Sequence, residues 1–404
     1  MAESNFIRLQ ALVFTLVAAA ISNLYLTQPV LPIIQQEFGV SAPMASVTVS
    51  VVILGIALAN LPFGWLADRY PIKWLIGVGA VLVGGAGLVC AATTHFLTLV
   101  GLRFLQGLFL PALSTCVAAY LSRTLPLKRL NVAMGSYVSA TVAGGLGGRL
   151  LGGWLHPPLH WRYAFVTAAV FLLVSAVTAV RWLPASGPPV QAVAEPEGFL
   201  AILGRRELRR TFLVAFGAFF VFSSGFNYLL FYLSGPPFSL PVQMITFLYL
   251  AYIVGIVIGP IAGAVSNRVG NGAAMMGGAL IFALALLLTL IKSLAVIAVA
   301  LLLVCAGFFT IHSAAAGSLN RRLTGSRGKA NSLYVLFYYL GGACGITLTG
   351  WAYSLAAWPG VVALGLLVLG VPLAAGFRDL REEQQESGPG DQSRIFPHQD
   401  EKLR

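Results

Sequence analysis

The sequence is short of charge. Asp, Glu, Lys and Arg together make up 9% of its 404 residues, against about 25% in ordinary soluble domains. Too few ionic groups are available to cover a water-soluble surface, and the mean hydropathy of +0.86 agrees. Acids are scarcest, with 13 Asp and Glu against 25 Lys and Arg. Only Glu37 and Asp68 lie at the edges of apolar runs, and no acid sits in the middle of one. That absence argues against a membrane enzyme built on clustered His, Asp and Glu, and against a channel with a charged filter ring. Cysteine is also sparse. Cys90, Cys116, Cys305 and Cys344 all fall in apolar runs without CxxC spacing, which excludes a disulfide or metal framework and leaves small packing residues. No cofactor or metal motif is present.

What the chain does have is apolar length. Hydrophobic residues account for 58% of it, in runs of about twenty, long enough to cross a hydrocarbon core of about 30 Å. The runs fall at residues 9–34, 43–65, 73–92, 96–121, 131–155, 161–183, 211–233, 242–265, 272–291, 294–319, 329–355 and 358–377. The first exceeds a signal-peptide core and continues without a cleavable break, so it reads as a retained helix. A net charge of +12 invites a nucleic-acid partner, but the cations sit in short clusters between runs, where charge fixes membrane orientation. Of the 25 basic residues, 21 lie in or at the edges of segments of one parity, only Arg162 and Lys292 lie at those of the other, and only Arg103 and Arg149 fall in the interior of runs. This bias predicts an even number of crossings with both termini cytoplasmic, in a lipid bilayer and without a nucleic-acid partner.

The runs repeat. Gly144-Gly145-Leu146-Gly147-Gly148 in the fifth matches Gly341-Gly342-Ala343-Cys344-Gly345 in the eleventh, and at the same offset Gly153-Trp154 matches Gly350-Trp351. Gly64 and Asp68-Arg69 similarly match Gly263 and Asn267-Arg268. The expected fold is an all-α polytopic membrane protein, with twelve transmembrane helices in two pseudo-symmetric six-helix bundles. Residues 1–183 form the first bundle, 184–210 a Pro/Gly- and Arg-rich cytoplasmic linker, 211–377 the second bundle and 378–404 a disordered polar tail. Parallel repeats of this kind place a substrate site at mid-membrane between the halves.

Gly64-Trp65-Leu66-Ala67-Asp68-Arg69-Tyr70-Pro71-Ile72-Lys73 resembles the signature loop of the major facilitator superfamily, with Pro71 where a glycine is usual. The resemblance gives Gly64, Asp68, Arg69 and Lys73 a gating role, Gly64 through close helix contact; the plainer alternative is an orienting basic loop. Arg103-Phe104-Leu105-Gln106-Gly107 is similar to a second family motif. An intramembrane arginine is costly and needs partners, so Arg103 has either a structural role or one in coupling. Gly144–Gly153 resembles the family's antiporter motif, except that Arg149 replaces its proline. Asn23, Tyr25, Gln28 and Pro29 in the first run, His160-Trp161-Arg162, and His312 in the tenth are similar to the drug:proton antiporter branch, in its arabinose-efflux-permease-like subgroup. The resemblance covers residues from about 8 to 377.

The resemblance implies a monomeric, multi-pass transporter of the bacterial inner membrane, with no enzymatic activity, that exports a small-molecule substrate by alternating access. Asn23, Tyr25, Gln28, Arg103 and Gln106 are expected on one cavity wall, and Asn227, Tyr228, Tyr232 and His312, with Tyr334 and Tyr338, on the other. An aromatic lining suits drug-like or amphiphilic compounds exchanged for protons. Two buried arginines without a central acid also fit a sugar or an anionic or polyhydroxylated metabolite, siderophore-like compounds included, and uniport stays open. For proton coupling, His312 has the ordinary pKa suited to the task, about 6.5. Glu37, Arg103 and Arg149 are expected to form an outer-side ion network, with proton binding at Glu37 or His312 linked to opening.

Overall fold

The computed structural model describes residues 3–156, 158–184, 198–323 and 327–386, all helices and turns without a strand. Backbone in a hydrocarbon medium must satisfy its own hydrogen bonds, and helices do so within one segment. The elements are α1 (Glu3–Ser22), α2 (Leu31–Phe38), α3 (Ala42–Arg69), α4 (Ile72–Ala92), α5 (Phe96–Leu113), α6 (Thr115–Thr124), α7 (Leu127–Trp154) and α8 (Arg162–Trp182), then α9 (Phe199–Gly204), α10 (Arg206–Ser234), α11 (Val242–Leu248), α12 (Ile253–Val269), α13 (Asn271–Leu288), α14 (Leu294–Arg321) and α15 (Arg327–Glu386). Linker residues 185–197 and tail residues 387–404 lie outside the described residues.

Among the described residues, ten helices are long and apolar enough to cross a membrane. One of these, residues 328–385, contains a break: Ala356 leaves helical geometry and Ala357 takes a φ of 49°. The break falls between the two runs expected there. α7 is outside the ten although it has 28 residues, about 42 Å of helix, because its glycines and Arg149 lower its hydropathy. Residues 378–386, expected to begin a disordered tail, instead extend α15, where Asp379 and Glu382 pair with Arg210 and Arg322.

Two sets of helices pack internally. In the first, α1 meets α7 and α8, α3 meets α5, and α4 meets both α5 and α8; in the second, α10 meets α14 and α15, while α13 and α12 meet α14. The repeated glycines serve the same contact in each set. A Cβ at Gly144 or Gly148 would collide with the α1 backbone at Ala18 or Ser22, and one at Gly341 or Gly345 with the α10 backbone at Phe216 or Phe220. Close backbone approach through small residues is what holds helices together where lipid removes the hydrophobic drive.

The sets join through α3 on α15 and α7 on α11. Asn227 Nδ2 donates to Ser46 Oγ at 2.7 Å, Trp154 packs on Phe247 at 5.3 Å, and Gly153 abuts Thr246. These contacts lie towards the end of the molecule that carries Glu37 and Trp161. The opposite end, with Arg123, Arg205–Arg210, Arg321 and Arg322, is referred to below as the basic end.

Candidate substrate cavity

The first helix stops early. α1 ends at Ser22, and residues 23–27 are turns before Pro29 and Pro32 start the next helical pieces. Among the described residues, no backbone N–H reaches the carbonyls of Asn23 and Leu24. Arg103 supplies the donors: Nη1 to Asn23 O at 2.6 Å and Nη2 to Leu24 O at 2.6 Å. Its Nε donates to Thr48 O at 3.1 Å and Nη1 also to Gln106 Oε1 at 2.7 Å, while Gln106 Nε2 donates to Val83 O at 3.0 Å. Arg103 has 0% exposure. Four bonds from one guanidinium thus tie α5 to the broken helix, to α3 and, through Gln106, to α4. Expected on a cavity wall, Arg103, Gln106 and Asn23 instead form a closed internal brace.

The break directs Tyr25 and Gln28 at α7. Arg149 Nε donates to Gln28 Oε1 at 2.7 Å, Nη1 to Gly145 O at 2.8 Å and Nη2 to the Tyr252 hydroxyl at 3.0 Å. Tyr25 and Tyr252 cover its faces, with ring centroids 3.6 and 4.3 Å away, and its exposure is 2%. Such cation–π contacts gain about 2 kcal/mol when desolvated and leave the charge unneutralised. A guanidinium carries five N–H donors; three make these bonds, the Tyr25 hydroxyl also lies within hydrogen-bonding reach of the group, and among the described residues none meets a carboxylate.

Arg149 and Tyr25 sit at one end of a cavity of about 820 Å³ that extends along α7 to Met134, about 22 Å of helix. Phe219 and Phe222 of α10, Gly255, Ile256, Gly259 and Pro260 of α12, Phe308 and His312 of α14, and Tyr338 and Tyr339 of α15 also line it. Tyr338 stacks on Phe219 at 3.9 Å, and Phe222 on Phe308 at 3.9 Å. His312 Nδ1 lies 3.0 Å from the Tyr334 hydroxyl, behind the lining. Among the described lining residues Arg149 is the one formal charge, and none is a carboxylate.

Of the residues expected on the walls, Tyr25, His312 and Tyr338 line the cavity. Tyr334 reaches it only through His312, and Gln28 only through Arg149. Asn227 joins the two helix sets, the Tyr228 hydroxyl donates to Ile346 O at 2.8 Å, and Tyr232 stacks on Trp358 at 5.3 Å; each is packed elsewhere. Sequence reasoning missed Tyr252, Phe219, Phe222 and Phe308. The usable signal was the Phe219, Phe222 and Phe226 spacing, which puts the aromatics on one face of α10.

The expected network of Glu37, Arg103 and Arg149 does not form: the bonds of Arg103 and Arg149 run to carbonyl, amide and hydroxyl oxygens and none runs to Glu37. Glu37 pairs with Arg162 at the end opposite the basic one, accepts from Trp161 Nε1 at 2.5 Å and lies 3.6 Å from His160. Partial burial pushes its carboxyl up, but the hydrogen bonds from Arg162 and Trp161 and the charges of Arg162 and His160 outweigh this and hold it below the usual carboxylate range. At the basic end Asp68 pairs with Arg123, which also donates to Ala67 O at 2.6 Å. This pair links α3 to α6 within the first set. Arg69 stacks over Trp65 at 3.8 Å, and Lys73 is half-buried at the start of α4. A Cβ at Gly64 would meet nothing within 4 Å, so the close contact expected of that glycine is absent.

Comparison with known proteins agrees with this architecture. The Major Facilitator Superfamily model matches residues 13–316 and 240–398. The chain is 31% identical over 355 residues to the uncharacterized MFS-type transporter YybF of Bacillus subtilis, covering 87% of this chain and 88% of that one. It is 30% identical over 378 residues to the inner membrane transport protein YnfM of Escherichia coli, with 93% and 91% covered. The crystal structure of a bacterial homolog of the human lysosomal transporter Spinster, inward-facing and unoccupied, superposes with a TM-score of 0.78 at 14% identity, covering 96% and 99%. The chain is a multi-pass membrane transporter and belongs to the Major Facilitator Superfamily.

Proposed function

We propose that the protein is a secondary active exporter of amphiphilic compounds that combine an apolar, often aromatic, body with one anionic group, in exchange for protons. The observation that carries this reading is Arg149, the lone formal charge among the described residues that line the aromatic cavity, whose N–H donors meet no carboxylate. An anion would meet those donors with charge-assisted bonds, and the rings would take the apolar body. A lipophilic cation would meet an uncompensated positive charge. A sugar would leave most of its hydroxyls without partners against this lining.

Counting α7 and the two arms of α15 separately gives twelve crossings, in bundles 1–183 and 211–377 joined by linker 184–210. The positive-inside bias makes the basic end and both termini cytoplasmic, in a bacterial inner membrane. The joined outer ends then describe a carrier closed to the outside, which rocks about Arg149 as access alternates. The brace at Arg103 supports that motion by keeping the broken first helix rigid. His312, beside Tyr334, is the proton-exchanging group in this reading, and Asp68, Arg69 and Lys73 belong to the inner gate.

Proteoliposomes test the proposal with a matched pair, 1-naphthoate and 1-naphthylmethylammonium. Naphthoate should show counterflow and the ammonium should not; equal counterflow, or counterflow of the cation alone, overturns the anionic assignment. An imposed pH gradient should drive naphthoate in wild type, and His312→Gln should retain counterflow but lose that drive. A gradient response equal to wild type in His312→Gln removes the proton role.

A further inference from the structure

A second large cavity, about 1000 Å³, lies at the basic end between α10, α14 and α15, remote from Arg149. Among the described residues its lining contains seven arginines against three glutamates. The acids are already engaged. Glu382 pairs with Arg210 at 2.6 Å, Glu383 with Arg321 at 3.5 Å and Glu207 with Arg205 at 3.0 Å. Behind the lining the buried Asp379 takes Arg322 at 3.0 Å and Arg210 at 3.5 Å. Arg206, Arg209 and Arg378 line the cleft with no carboxylate partner among the described residues.

Ordinary membrane orientation requires positive charge near a helix end. It does not require arginines gathered around one concave space and propped by a buried carboxylate. The rim differs from a purely aqueous site as well. Leu213 lines the cleft with 44% exposure; outside the lining, Phe377, one residue before Arg378 in the chain, is 44% exposed with the Arg381 guanidinium 4.2 Å from its ring centroid. Apolar and cationic groups side by side at the end of membrane helices match the depth at which phosphates meet acyl chains. Guanidinium groups bind phosphate oxygens through paired N–H donors.

We propose that this cleft binds the phosphate headgroup of an anionic phospholipid, held by Arg206, Arg209 and Arg378 with its acyl chains along Leu213 and Phe377. A soluble phosphate compound would use the same guanidinium groups but would have no use for the apolar rim.

Native mass spectrometry of the full-length protein in detergent reads this directly. Phosphatidylglycerol adducts should outnumber phosphatidylcholine adducts on wild type. The preference should fall by about fivefold per arginine removed at low salt, so that Arg206→Gln/Arg209→Gln/Arg378→Gln loses it. The matched lysine variant should retain most of it. Size-exclusion and thermal-melting profiles report whether each variant is folded. Should the glutamine variant not fold, the wild-type lipid contrast and the single Arg209→Gln variant decide. Equal adducts of the two lipids on wild type, or an unchanged preference in folded glutamine variants, overturns the proposal. Displacement of the lipid by millimolar sn-glycerol 3-phosphate also overturns it, because the occupant would then be a soluble anion.

Discussion

Arg103 and Arg149 are both buried cations in the first half of the chain, and they differ in what surrounds them. Arg103 meets two carbonyls that a broken helix has abandoned, a third on α3 and an amide oxygen. Its charge is spent on the scaffold. Arg149 meets one amide oxygen, one hydroxyl, a carbonyl in its own helix, and two tyrosine faces. It lines a cavity whose described residues offer it no carboxylate. The contrast shows that burial alone does not mark a transport residue; what matters is whether the charge faces the scaffold or a cavity.

The largest effect that could break this comparison is on stability. Arg103→Gln should cost on the order of 3 kcal/mol or more, because the carbonyls of Asn23 and Leu24 lose their donors at about 1–3 kcal/mol each. Thermal melting in detergent checks it, and a near-native melting temperature would mean the brace is dispensable. Arg149→Gln should cost little in melting temperature yet weaken binding of an anionic amphiphile by roughly 10- to 100-fold, the worth of a hydrogen bond to a charged group. Tyr252→Phe sharpens the contrast further. It keeps the ring over Arg149 and removes the hydroxyl acceptor, so affinity should change by roughly threefold to tenfold.

The smallest expected effect concerns a charge that belongs to neither arginine. Glu37 is held below its ordinary value of 4.5, so the stability it contributes is present above that value and is lost as pH falls through its folded pKa. Melting temperature should therefore drop more steeply for wild type than for Glu37→Gln on acidification below about pH 4.5. Parallel acid profiles would mean that the contacts of Glu37 with Arg162 and Trp161 do not contribute to stability.

The scaffold was largely legible in the sequence. Glycines at a constant offset in the fifth and eleventh runs anticipated contacts that the structure places on α1 and α10 alike, because tight helix packing leaves a small-residue imprint. The gap between the last two runs coincided with the break at Ala356 and Ala357. The site was legible only in part. Tyr25, His312 and Tyr338 stood out by type, and they line the cavity. Asn23, Gln106, Asn227, Tyr228 and Tyr232 were misplaced because a polar side chain on an apolar helix looks the same whether it faces a cavity or a neighbour's carbonyl. The assignment of Arg103 and Arg149 to one network with Glu37 failed for a related reason: sequence gives charges, but not the carbonyls freed by a broken helix that compete for them. Phe219, Phe222 and Phe308 were passed over because phenylalanine type alone does not separate lining from packing; only the spacing of Phe219, Phe222 and Phe226 marked a shared face of α10.

One measurement tests the account most directly: the dissociation constants of 1-naphthoate and 1-naphthylmethylammonium for purified wild type and Arg149→Gln, read from quenching of intrinsic fluorescence. The account predicts that wild type prefers the carboxylate and that Arg149→Gln loses this preference while its melting temperature stays near that of wild type. A preference for the carboxylate that survives in folded Arg149→Gln would contradict it.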